Sequence, residues 1–167
     1  MGKCDVIKTF FLGYRRIEPR IMARAEERER YWELATRITP AYTGMPSGGA
    51  NGSKVENGAT MMMSIIDELD REIAELKYYR QLARRIISMT GDQRYADVLT
   101  YRYFNGYKWE KIMEAMHYES TQVWRIHGFA LSAANRVVDR LIAEDPAVYE
   151  IFRRIQDGME RNTPPVL

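Results

Sequence analysis

Thr121, Trp124, Arg125 and Gly128 recur at the three- and four-residue spacing that puts side chains on one face of a helix. Val123, Ile126 and Ala130 fall on the opposite face. A helix divided this way is anchored by its apolar side and presents a hydroxyl, an indole and a guanidinium on the other. Such a face suits recognition of a surface and is not a catalytic set. Elsewhere in the chain no Ser or Cys stands near a His as an activated nucleophile, and no carboxylate pair sits in a glycine-rich or metal-binding context. His117 and His127 are ten residues apart, with no Cys or acidic pair at ligand spacing. The sequence therefore predicts no enzyme, no metal centre and no cofactor.

The elements that must position this face run from Gln93 to Leu131. Val98, Leu99 and Tyr103 give a first short helix an apolar stripe, and Asn105-Gly106 ends it, because both residues tolerate positive φ. Trp109, Ile112, Met113 and Met116 carry a second helix. Val123, Ile126, Ala130, Ala133 and Val137 carry a third. The four residues His117 to Ser120 separate Met116 from Thr121. Helices joined by so short a turn cross steeply, and the front of the later one is left free to enter a DNA major groove.

Around this centre the chain reads as helix. Over 5–38, Ile21, Ala25, Trp32, Ala35 and Ile38 fall near one face. Pro19 marks either the first turn of a second helix, after a short one over Val6–Ile17, or a kink in a single helix. Residues 39–60 hold five of the eleven glycines together with Pro40 and Pro46, and are expected to be a flexible loop. Within them GGANGSK lacks the order of a phosphate-binding loop. From Met62 through Ile66, Leu69, Ile73, Leu76, Ala83 and Ile87, apolar residues alternate by four and three, with Arg80 as the break. This seam over 61–89 needs an apolar partner, either the 20–38 helix folded back as a hairpin or the same helix in a second copy. In the Met61-Met62-Met63 run one methionine is expected to be exposed. Gly91-Asp92 ends the long helix and caps the next. Asp145-Pro146 opens a last helix whose face is Val148, Phe152, Ile155 and Met159.

Net charge is only +2 over 167 residues. Residues 1–38 hold nine Lys/Arg against six Asp/Glu, and residues 92–141 seven against six. No basic field announces nucleic acid, so a DNA reader of this kind would act as a dimer or beside a partner. The single cysteine, Cys4, excludes an internal disulfide and fits a reducing, cytoplasmic setting. No apolar run reaches the length that spans a membrane.

The residues Trp109-Glu110-Lys111-Ile112, with Val123, Ile126, Ala130 and Leu131 after them, resemble region 4 of bacterial sigma-70-type factors. Upstream, ELATRITPAYTGMPSG and the long helix after it resemble small phage and prophage proteins that join an N-terminal helical hairpin to a region-4-like domain. Relatives of the ArpU and RinA late-gene regulators are among them. The resemblance spans roughly residues 10–140. It implies a recognition helix beginning near Ser120, with Ser120, Thr121, Trp124 and Arg125 facing bases and Gln122 close by. Arg125 would then grip guanine O6/N7, Gln122 adenine, and Thr121 a thymine methyl or a phosphate. Arg102, Lys108 and Lys111 would reach phosphates. The chain departs from the region-4 pattern at His117 in the turn, Met113 in the first helix and Glu119 at the cap.

The expected architecture is thus all-α. A coiled-coil-like hairpin occupies 1–89, with its loop at 39–60. A sigma-70 region-4-like helix-turn-helix occupies 91–143, and a C-terminal helix and tail occupy 145–167. The expected function is sequence-specific binding of double-stranded DNA as a transcriptional regulator of phage or prophage genes in a bacterial host cell. The alternatives are a small terminase-like packaging homo-oligomer and a protein that docks on bacterial RNA polymerase.

Overall fold

A computed structural model describes residues 3–38 and 51–160, with side chains described for 5–37 and 57–160. Among the described residues the chain is all-α, with no strand. The helices are α1 (Lys3–Tyr14), α2 (Ile17–Ile38), α3 (Asn51–Ser88), α4 (Gln93–Leu99), α5 (Trp109–Met116), α6 (Ser120–Glu144) and α7 (Pro146–Glu160). A single π-helical turn, Thr100–Phe104, continues α4. No helix among the described residues is long and apolar enough to cross a membrane.

Of the two readings of Pro19, the structure takes the first. A break at Arg15-Arg16 separates α1 from α2, and Pro19 lies in the first turn of α2, where its missing N–H has no intrahelical partner to lose. The residues form two compact units, one of α1, the end of α3 and α4–α7, the other of α2 and α3 up to Tyr78. The boundaries expected near 90 and 144 do not separate compact units. The reason lies in α1, where Ile7, Phe10, Phe11 and Tyr14 form one stripe and are all buried.

Phe10 and Phe11 are the centre of the first unit. The Phe10 ring lies 4.4 Å from Tyr79 at the end of α3 and 4.8 Å from Phe152 on α7. Phe11 lies 5.3 Å from Tyr103, and Tyr14 stacks on Phe104 at 3.7 Å. Burying each phenyl ring is worth about 2–3 kcal/mol, so α1 is a major contributor to this core. The Tyr79 hydroxyl donates to the Phe10 carbonyl, and burial pushes its pKa well up, which keeps it a donor. Tyr79 also takes over the seam of α3 where Arg80 breaks it, with Leu82, Ala83, Ile86 and Ile87 buried beyond. From α7, Val148, Phe152 and Ile155 close the core. Asp145 caps that helix, its Oδ1 accepting from Ala147 N at 2.9 Å.

In the second unit Ile66, Leu69, Ile73 and Leu76 are buried along α3. Two ion pairs join α2 to α3, Arg24 to Glu72 and Arg28 to Asp70, each at 2.7 Å. The higher-numbered arginine meets the lower-numbered carboxylate, so the two helices run antiparallel. Three expectations need correction here. Helix α3 begins at Asn51, so residues 51–60 are helix and not loop, while 39–50 lie outside the described residues. Gly52 and Gly58 each cost about 1 kcal/mol in a helix, and the good helix formers Lys54, Glu56, Ala59 and Met61–Met63 offset that. The α2 face is also less buried than its spacing predicts. Ala35 is buried, Ile21 half-buried, Ala25 exposed and Trp32 42% exposed, while the Ile38 side chain lies outside the described residues. Arginines of α2 reach carboxylates of α3 beside that stripe, and Trp32 carries the Arg28 guanidinium 5.7 Å from its ring. Finally, two methionines are exposed in the 61–63 run, Met61 and Met63.

Candidate nucleic-acid interface

The segment starts at Gly91, whose φ of +81° turns the chain out of α3. Asp92 then caps α4, its Oδ1 accepting from Arg94 N at 2.9 Å. The Arg94 guanidinium also donates to Asp92, and these hydrogen bonds hold that carboxyl below its usual range. Val98, Leu99 and Tyr103 are buried, as their spacing predicts. The π-helical turn is closed by Asn105 N donating to the Thr100 carbonyl at 2.9 Å. Gly106, at φ +67°, breaks the helix there, and Tyr107 N folds back to the Tyr101 carbonyl at 2.9 Å.

Helix α5 comes next, with Ile112 fully buried and Trp109, Met113 and Met116 half-buried. His117 ends it in the left-handed conformation, φ 56° and ψ 41°. This is the position where glycine would be free of strain, and histidine is among the residues that tolerate it better. The turn is three residues, His117–Glu119, one shorter than expected, because Ser120 already belongs to α6. Glu119 is the N-cap of α6, and Gln122 Oε1 accepts the Glu119 N–H at 3.3 Å. Gln122 therefore has a capping role in addition to the base-facing one expected of it, and its amide NH₂ stays available.

The first two turns of α6 divide as their sequence predicts. Val123, Ile126, His127 and Ala130 are buried, while Ser120, Thr121, Gln122, Trp124 and Arg125 are exposed together. Trp124 is 52% exposed yet supported, with its ring 4.1 Å from that of Trp109. The same Trp109 ring carries the Arg102 guanidinium at 4.6 Å. Arg102 also donates to the Tyr107 carbonyl at 3.1 Å, so it braces the turn before α5 and is less free for phosphate than its sequence position suggests. Lys111 Nζ lies 3.8 Å from the Tyr107 ring, which stacks on Tyr101. Lys108 is exposed at the start of α5. A cation over an aromatic face is worth about 0.5–1 kcal/mol where exposed, so Arg102 and Lys111 hold their positions without losing their charge.

Behind this face lies a buried pair that side-chain spacing had marked only as an improbable metal ligand. His127 is 8% exposed and shares a 3.1 Å hydrogen bond with the Tyr103 hydroxyl. Its ring also meets the edge of Trp109 at 5.0 Å. Burial first, then the charges of Lys8 and Arg102, bring the His127 pKa down to about 4, so the ring is neutral at pH 7. Burial raises Tyr103 to about 12. The signal was present in the sequence, since position 127 lies four after Val123 and three before Ala130 on the buried stripe. Among the described residues no group of three His, Cys, Asp or Glu side chains could hold a metal ion. In comparisons with family models, curated proteins and solved structures, nothing matches this chain.

Proposed function

We propose that this chain is a sequence-specific DNA-binding transcriptional regulator, akin to the phage and prophage proteins with a sigma-70 region-4-like domain. In this reading α5 and α6 are a helix-turn-helix, and α2 and α3 are the accompanying hairpin. The observation that supports it best is the joint exposure of Ser120, Thr121, Gln122, Trp124 and Arg125 on the first two turns of α6, immediately after a three-residue turn. The buried side of those same turns is locked by Val123, Ile126 and His127, so the exposed side is a rigid face that can enter a groove. Arg125 offers a planar fork for guanine O6/N7, worth about 1–3 kcal/mol of discrimination per base. Lys108 and Lys111, exposed along α5, suit phosphate contacts that set the register.

The test is selection of bound sequences from random duplex DNA, with the parent and Arg125→Ala run side by side. A motif that relaxes at one base in the variant supports the reading. Recovery of no motif sinks it.

A second reading draws support from the apolar part of the same helix. Trp124 and Phe129 are both more than half exposed, and Lys108, Lys111 and Arg125 are matched in number by Glu110, Glu114 and Glu119. A face this balanced in charge also suits a protein surface such as that of RNA polymerase. That reading predicts polymerase binding that survives loss of Gln122 and Arg125.

A further inference from the structure

We propose that the Trp124 indole, left open by Gly128 one turn later, is an apolar contact for the C5-methyl group of a pyrimidine in the DNA major groove. The inference rests on the reading of α6 as the DNA-reading helix and adds the base chemistry that it selects.

Trp124 is exposed but not loose. Its ring lies against Trp109, which is in turn held by Arg102 and His127. The indole is therefore positioned before any ligand arrives, and little rotamer freedom remains to be lost on binding.

Gly128 explains why the indole is accessible. A helical side chain covers the surface over the turn before its own Cα, so a side chain at 128 would lie across Trp124. A Cβ built on Gly128 meets nothing within 4 Å, and its φ is not among the positive ones. Neither internal packing nor backbone conformation demands glycine there, and alanine is the better helix former. What the glycine does is leave the indole uncovered.

The residues beside Trp124 identify the occupant. Thr121, Gln122 and Arg125 share the exposed turns with it and carry hydrogen-bonding groups of the kind that match base edges. A purely apolar partner would leave those groups unpaired. In the major groove the apolar feature among the base edges is the C5-methyl of thymine, which 5-methylcytosine also carries. A face that mixes one indole with an amide, a hydroxyl and a guanidinium matches that pattern.

The experiment uses the full chain and the duplex recovered by selection. Each thymine is replaced in turn by uracil, which removes the methyl and keeps the base pair. Each cytosine is separately replaced by 5-methylcytosine. The expected result is an affinity loss of about 4-fold at one thymine, the worth of one buried methyl-sized group. A gain of similar size at one cytosine would assign the contact to 5-methylcytosine instead. Either effect should vanish in Trp124→Ala and persist in Arg125→Ala. If Trp124→Ala fails to fold by circular dichroism, Gly128→Leu, which adds atoms only into open space, should abolish the methyl effect. A methyl effect that is unchanged in the Trp124 or Gly128 variant overturns the proposal, as does a bound duplex indifferent to every methyl. A chain that binds no duplex at all overturns the regulator reading itself, and this inference with it.

Discussion

His127 makes the stability of the core depend on pH in a calculable way. Its pKa is about 4 in the folded chain against an ordinary 6.5. Above pH 6.5 the imidazole is neutral in both folded and unfolded chains, and the native state keeps its full stability. As pH falls below 6.5 the unfolded chain takes up a proton that the folded chain refuses, so stability is lost progressively until about pH 4, where the native ring also protonates. Each tenfold difference in proton affinity is worth about 1.4 kcal/mol, so the loss is about 2 kcal/mol by pH 5 and about 3 kcal/mol by pH 4. Against the roughly 5–15 kcal/mol typical of a whole domain, this is a large fraction. The assay is urea unfolding monitored by circular dichroism at pH 7, 6 and 5, for the parent and His127→Phe. The variant should be less stable at pH 7, because Tyr103 loses its hydrogen-bond partner, but its stability should fall less between pH 7 and 5. Equal losses in the two chains, or an imidazole proton resonance that titrates near 6.5, would refute the assignment.

Backbone and core geometry give three further expected outcomes. His117→Gly removes a side chain from a left-handed residue and should stabilise the chain by about 1 kcal/mol, read as a rise of a few degrees in melting temperature. Gly106→Ala acts in the opposite direction. Its φ is +67° and its Cβ would meet the Arg15 guanidinium, so a loss of about 1–2 kcal/mol is expected in urea titration. Tyr79→Phe deletes the hydroxyl that bonds the Phe10 carbonyl and should cost about 1 kcal/mol, with amide exchange accelerated in α1.

The parts of the fold that were legible are those where the chain punctuates itself. Gly91-Asp92, Asn105-Gly106 and Asp145-Pro146 stand where helices end and begin, because positive φ and side-chain caps are local properties. The division of α6 into a buried and an exposed side is set by spacing alone, and so is the burial of Val98, Leu99 and Tyr103. What sequence reasoning missed depends on partners. Trp32 lies at the right spacing for burial but sits on a helix whose arginines pair with carboxylates of α3, and it stays exposed. Gly52 and Gly58 mark a loop by propensity, yet α3 propagates through both, since each added residue gains a hydrogen bond once a helix exists. Ile7, Phe10, Phe11 and Tyr14 showed a helical stripe, but its partners lie some seventy or more residues away at Tyr79, Phe104 and Phe152, and no local pattern names them. The stack of Trp109 on Trp124 was likewise invisible, because it depends on how α5 crosses α6.

The π-helical turn at Thr100–Phe104 has an effect on phase. It accommodates one more residue than an α-helical turn, and one residue in an α-helix corresponds to a rotation of about 100°. Phe104 must meet Tyr14 on one side while Arg102 meets Trp109 and Tyr103 meets His127. The extra residue supplies the rotation that lets the three contacts coexist. Chain length through this turn therefore works as an indexing step: the angular setting of α5 and α6 changes in whole increments. Point substitutions can loosen or tighten the setting, but only an insertion or deletion can move the two helices to another one.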